Sequence, residues 1–185
     1  QNGGEGWKIT VTPPEGDPIS QVTGPDGTYK FENLGAGVHK VEIETRSGWR
    51  AFTVASFEVV MSGDEKDGCA TTRFKMEALP CLVVKKQDAD GQMGLVKPVG
   101  LADWGITVKL GSRTETQRTN SDGFAEFRYL VPGIWSVEEE SKTGWMPVLG
   151  QVSSVELTSP RQPYTCTDVV LVNTQLHTSC IAALK

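Results

Sequence analysis

The sequence predicts an all-β protein made of two tandem β-sandwich modules, the first lacking its own first strand. Three observations carry that expectation. Apolar residues alternate with a period of two along most of the chain, and helical periodicity is nearly absent. The segment Pro25 to Gly37 returns at Ser121 to Gly133, and each copy runs on to a Gly-Trp, at Gly48-Trp49 and Gly144-Trp145, an offset of 96 residues. A repeat at fixed spacing sets the architecture before any single element does. Turn signals at Asp26-Gly27, Asp90-Gly91, Asp122-Gly123 and Pro132-Gly133 punctuate the strand-like runs at the spacing of a sandwich.

The strands follow in order. Trp7-Lys8-Ile9-Thr10-Val11 matches Trp104-Gly105-Ile106-Thr107-Val108, with Ile and Val facing away from Thr. His39, Val41 and Ile43 share one face of the next strand, with charges on the other; its counterpart is Trp135 to Glu140. Phe57-Glu58-Val59 matches Val155-Glu156-Leu157. The last strand of each module follows a cysteine, as Arg73-Phe74-Lys75-Met76 and as Val169 to Asn173. Each is followed by a cysteine-led strand, Cys81 to Lys86 in one case and Cys180 to Lys185 in the other. The first of these opens module two, and the second opens a module that this sequence does not contain. The expected organisation is therefore an incomplete module over 1–79, a complete one over 80–175, and a linker with a candidate donor strand over 176–185.

The 185 residues allow two small domains, each with a modest core. A net charge of −5 and a pI near 5.1 argue against nucleic-acid binding, which needs a basic surface. No run of 18 apolar residues exists, so no membrane-spanning helix is expected. The opening Gln1-Asn2-Gly3-Gly4 has no basic or apolar leader region, so a signal peptide is expected to be already removed. Four cysteines in a strand-rich chain fit an oxidising compartment, with buried free thiols as the alternative. The cysteines repeat: Cys69 with Cys166 at an offset of 97, Cys81 with Cys180 at 99.

Other chemistries find little support. Asp88-x-Asp90-Gly91 reads as a turn, since the remaining oxygens of a calcium loop are missing. His39 and His177 are far apart and supply no zinc set, so no metal and no cofactor is expected. Serine, histidine and aspartate show no nucleophile-elbow context, so hydrolase chemistry is not expected. The five tryptophans read as core residues; an exposed one would suit carbohydrate.

At Lys86-Gln87-Asp88-Ala89-Asp90-Gly91, at Val131-Pro132-Gly133-Ile134-Trp135-Ser136-Val137-Glu138-Glu139 and at Gly144-Trp145 the chain resembles Cna protein B-type domains. These are the transthyretin-like (prealbumin-like), Ig-like sandwiches of Gram-positive pilins and adhesins. Module two matches throughout and module one from Trp7 onward. The resemblance implies an intramolecular isopeptide bond, with Lys86 as nucleophile, Asn173 as the carboxamide attacked and Glu139 as the assisting acid. The physical logic agrees. Glu139 alternates with Trp135 and Val137 and so points inward, where burial favours the neutral acid, while a desolvated lysine becomes a neutral amine. The alternative is a buried Lys–Glu pair hydrogen-bonded to Asn173. In module one the positions of Glu139 and Asn173 hold Ile43 and Met76, so no such bond is expected there.

In the fold so implied the first and last strands are neighbours, which pairs Cys81 with Cys166 inside module two. Cys69 would then need a cysteine on a first strand that module one lacks, and Cys180 lies on a strand of the right type. The expectation is strand donation: 180–185 of one molecule completes module one of the next, locked by a Cys69–Cys180 disulfide between subunits. Head-to-tail contacts that do not close make filaments. Two alternatives stay open, a piece of a longer tandem array and a Cys69–Cys81 with Cys166–Cys180 pairing. The function expected is a secreted structural subunit of a pilus-like extracellular filament, whose partners are identical subunits. It is no enzyme beyond autocatalytic bond formation. The alternatives are a stalk segment of a cell-surface adhesin and a spacer or carbohydrate-binding module; the sequence names no adhesive ligand.

Overall fold

A computed structural model describes residues 4–62, 69–89, 99–149 and 152–176. Cys180 to Lys185, His177 and the Asp90-Gly91 turn lie outside the described residues. The chain divides into two compact units, Gln1–Glu77 and Ala78–Lys185. All fourteen regular elements described are strands.

The second unit is a two-sheet sandwich. One sheet holds β7 (Cys81–Asp88), β10 (Phe124–Phe127), β12 (Trp145–Leu149) and β14 (Cys166–Gln175) in the order β10-β7-β14-β12. The other holds β8 (Gly105–Leu110), β9 (Arg113–Arg118), β11 (Gly133–Glu139) and β13 (Val152–Leu157) in the order β13-β11-β8-β9. Strand alternation sends Leu82 and Val84 of β7, Leu171 of β14, Ile106 and Val108 of β8, and Trp135 and Val137 of β11 into one core between the sheets. The first strand lies at the centre of its sheet. It runs parallel to β14, with Cys81 opposite Cys166 and Asn173 opposite Asp88, and antiparallel to β10.

The first unit repeats the second sheet and half of the first. Strands β1 (Lys8–Thr12), β2 (Ile19–Val22), β3 (Gly37–Ile43) and β5 (Ser56–Met61) form a sheet ordered β2-β1-β3-β5. That matches β9-β8-β11-β13 strand for strand. Among the described residues the opposite layer holds β4 (Trp49–Ala51) and β6 (Met76–Ala78), the counterparts of β12 and β14. Trp7, Ile9, Val11, Val41 and Ile43 form its core. The repeat extends to fine detail. Thr23 Oγ1 accepts from Trp7 N–H and Thr119 Oγ1 from Trp104 N–H, each at 2.9 Å. Trp7 meets Trp49, and Trp104 meets Trp145, edge-on at 5.5 Å.

Module one departs from the expected strand list at its end. Arg73, Phe74 and Lys75 are not in a strand; the strand is β6, Met76–Ala78. Nor do Thr28 to Phe31 form a strand, although their counterparts Phe124–Phe127 are β10. Both segments would pair with a first strand. Without that neighbour they have no ladder to join, and backbone hydrogen bonding is what defines a strand.

One glycine shows how close β7 lies to its surroundings. Gly123 closes the turn before β10 at φ 81° and accepts from Lys86 N–H at 2.7 Å. A Cβ there would overlap the Lys86 carbonyl oxygen. Gly123→Ala is expected to destabilise module two by about 1–3 kcal/mol, through the left-handed backbone and the overlap together. Urea unfolding of the variant beside the parent checks it.

Candidate functional site

Strands β7, β11 and β14 each present one polar side chain to the core of module two. Lys86 is fully buried, Asn173 is 3% exposed and the Glu139 side chain is 3% exposed. Each sits where alternation turns it inward: Lys86 two residues after Val84, Glu139 two after Val137, Asn173 two after Leu171. Lys86 Nζ donates to Asn173 Oδ1 at 2.5 Å and lies 2.6 Å from Glu139 Oε2. The Trp104 ring lies 4.9 Å from the same nitrogen. The three residues singled out in the sequence thus meet in one buried cluster. Trp104 is the member that sequence reasoning missed; only its matching position with Trp7 marked it, and that read as packing.

Burial is the main cause that lowers the Lys86 pKa from its ordinary 10.5, and the Glu139 carboxylate acts in the opposite direction. A lowered lysine pKa is what an amine nucleophile needs. Nζ lies beside the Asn173 carboxamide, with a carboxyl group in reach of its protons. The arrangement can do one-time amide exchange.

The shift has a testable sign. With Lys86 as a free amine, the unfolded chain holds its proton more tightly than the folded one does. Stability then rises with pH from the folded value up toward 10.5. A crosslinked chain has no amine at Lys86 to titrate. The difference in urea midpoint between the parent and Asn173→Ala is therefore expected to shrink as the pH rises toward 10.5.

Cys81 and Cys166 are joined in a disulfide that closes a separation of 85 residues. This removes the alternative pairing of Cys69–Cys81 with Cys166–Cys180. Cys69 is exposed and is the free cysteine among the described residues. Its expected partner, Cys180, lies outside them. The acidic side chain of Glu126 lies close to Cys81 and Cys166, but those sulfurs are already bonded to each other and offer no metal site.

In module one Ile43 is buried and Met76 packs against the same apolar cluster, so hydrocarbon stands where module two holds Glu139 and Asn173. His39 takes the position of Trp135. It is 1% exposed, with Nδ1 3.2 Å from Gly37 O. Trp7, Trp104 and Trp135 are buried, and Trp49 and Trp145 are half-buried. Among the described residues no helix is long and apolar enough to cross a membrane.

Fold and site define a class: tandem all-β sandwich modules, the second with a buried lysine, carboxylate and carboxamide between its first and last strands. The resemblance to tandem Cna protein B-type modules holds across both units. No family model matches the chain. It is 29% identical over 170 residues to serine-aspartate repeat-containing protein D of Staphylococcus aureus strain Newman, covering 80% of this chain and 12% of that protein. The same protein of strain MW2 matches equally. The chain thus spans about an eighth of the length of these relatives. Among solved structures it is similar to GBS52, the minor pilin of Streptococcus agalactiae, at 15% identity and a TM-score of 0.42, over 97% of this chain and 87% of that one. It is also similar to the Bacillus anthracis TIE protein, at 16% identity and a TM-score of 0.45, over 92% of this chain and 31% of that one. The fold assignment rests on the sheets described above.

Proposed function

We propose that this chain is a structural segment of an extracellular filament, with module two closed on itself by an isopeptide bond. The observation that carries the reading is the buried Lys86–Asn173–Glu139 cluster, whose lysine and carboxamide lie on the first and last strands. The neutral Lys86 amine attacks Asn173 Cγ. The new Nζ–Cγ bond forms as the carboxamide C–N bond breaks and ammonia leaves. Glu139 takes the proton from the attacking nitrogen and returns it to the leaving one, ending unchanged. No oxidant is needed. Subunits join head to tail by strand donation into module one. Intact-mass measurement tests the bond: a deficit of one ammonia supports it, and the full sequence mass sinks it.

A second reading is a stalk segment of a longer, multi-domain surface protein. It is favoured by the match that covers most of this chain but a small part of its relative. Electron microscopy of the native material separates the two, since only the first gives filaments.

A further inference from the structure

Trp104 stands in the same frame as Trp7, and most of that frame repeats bond for bond. Each backbone N–H donates to a threonine hydroxyl, Thr119 or Thr23, at 2.9 Å, and each indole meets a second indole edge-on at 5.5 Å. A cation lies over each ring: Lys142 Nζ at 4.9 Å from Trp104, and its counterpart Arg46 at 4.2 Å from Trp7. The ladder step beyond the inward-facing strand also repeats. Glu140 N–H donates to Gly105 O at 2.8 Å, and Glu44 N–H to Lys8 O at 3.0 Å. One bond is not shared. The Trp104 indole N–H donates to the Glu140 carbonyl at 2.9 Å, and among the described residues no such bond joins Trp7 to Glu44. The residue before that carbonyl's own is Glu139 in module two and Ile43 in module one. The extra bond is thus found where the strand end carries the acid of the buried cluster.

We infer that Trp104 is a positioning residue of the crosslinking reaction: its indole N–H holds the end of β11 so that the Glu139 carboxyl reaches Lys86 Nζ, and its ring covers that nitrogen. The inference rests on the isopeptide reading of module two and deepens it by naming what aims the acid. Glu139 is the last residue of β11, paired with Ile106 of β8 at the end of the ladder. Past that point Glu140 is held at both of its backbone groups, by Gly105 at its N–H and by Trp104 at its carbonyl. A strand end pinned in this way cannot swing its last side chain. That matters because one carboxyl has to serve the attacking and the leaving nitrogen in turn, and a misplacement of about 1 Å costs a reaction of this kind heavily. Trp104 is itself anchored. It is 2% exposed, and the Thr119 hydroxyl that accepts from its backbone N–H donates to Leu101 O at 2.6 Å. The ring face, 4.9 Å from Lys86 Nζ, attracts an ammonium, so the ring does not make the free amine; burial does. Trp104 contributes placement. It exchanges no proton or electron as the Nζ–Cγ bond forms, the carboxamide C–N bond breaks and ammonia leaves.

The test follows the rate of ammonia loss in full chains made by cell-free synthesis, quenched at timed intervals and weighed intact. Replacing Trp104 by benzothienylalanine exchanges the indole N–H for sulfur and keeps the size of the ring. That chain is expected to lose ammonia about tenfold more slowly than the parent, with unchanged far-UV circular dichroism. Trp104→Phe also removes the N–H and is expected to slow the loss at least as much. Trp7→Phe makes the same change in the module whose strand end carries no acid, and is expected to leave the rate as it is. A folded benzothienylalanine chain that loses ammonia at the parent rate would overturn the inference, since packing alone would then suffice. So would an equal slowing by Trp7→Phe, which would show a general loosening of the chain. A parent that never loses ammonia sinks the isopeptide and the role of Trp104 with it. A parent that loses ammonia no faster than the Trp104 variants sinks the role of Trp104 alone.

Discussion

Glu139→Ala lowers the stability of module two by about 3–5 kcal/mol, through loss of the crosslink and a buried amine left without its partner, and returns the intact mass to that of the sequence. Both effects come from the same geometry. Lys86 has no exposure, and the nearest carboxylate is Glu139 at 2.6 Å. Removing the acid takes away the proton carrier for amide exchange and leaves the amine among hydrocarbon. A compensated variant separates the two effects. Lys86→Leu with Glu139→Ile and Asn173→Met borrows the solution that module one already uses, where Ile43 and Met76 stand in the matching places. That triple variant is expected to lose the bond but recover part of the stability lost in Glu139→Ala, because well-packed hydrocarbon leaves no buried polar group unsatisfied. Urea unfolding of module two with mass measurement on each sample checks both outcomes. A Glu139→Ala chain that keeps the ammonia deficit would remove Glu139 from the chemistry.

The second large effect is the loss of the Cys81–Cys166 disulfide, and its size depends on the first crosslink. Alone, a bridge closing 85 residues is worth about 4–5 kcal/mol through the entropy of the unfolded chain. With Lys86 already bonded to Asn173, the disulfide closes only the short ring made of 81–86 and 166–173. A ring of about a dozen residues is worth about 3 kcal/mol on the same scale. Cys81→Ser with Cys166→Ser is therefore expected to cost about 2 kcal/mol more in the Asn173→Ala background than in the parent. Denaturant midpoints for the four chains of that cycle measure the coupling. Additive costs would mean that the isopeptide is not formed in the parent.

Much of this was legible in the residues. Alternation placed Ile9, Val11, His39, Val41 and Ile43 on inward faces, and all five are buried. The resemblance to Cna protein B-type domains implied the grouping of Lys86, Glu139 and Asn173, and alternation turned Glu139 inward. Three things were less legible. Thr28 to Phe31 repeats the sequence positions of Phe124–Phe127 but forms no strand, because a strand needs a neighbour to bond to and the described residues of module one supply none there. The same absence shortens the expected strand 73–76 to Met76–Ala78. His39 in the place of Trp135 was visible as an inward position but not as a near-complete burial. Pattern reports which way a side chain faces; what covers it depends on partners far away in the sequence.

The parallel pairing of β7 with β14 has a mechanical consequence. Tension along the chain enters module two at its first strand and leaves at its last, and those two strands lie side by side, joined at Cys81–Cys166 and, if the amide forms, again at Lys86–Asn173. A pull on the two ends is then carried by covalent bonds, and the chain between the cysteines, a separation of 85 residues, never bears it. It would otherwise pay out roughly 280–300 Å of extended chain. Under load module two behaves as an inextensible link, while everything that yields must lie outside it.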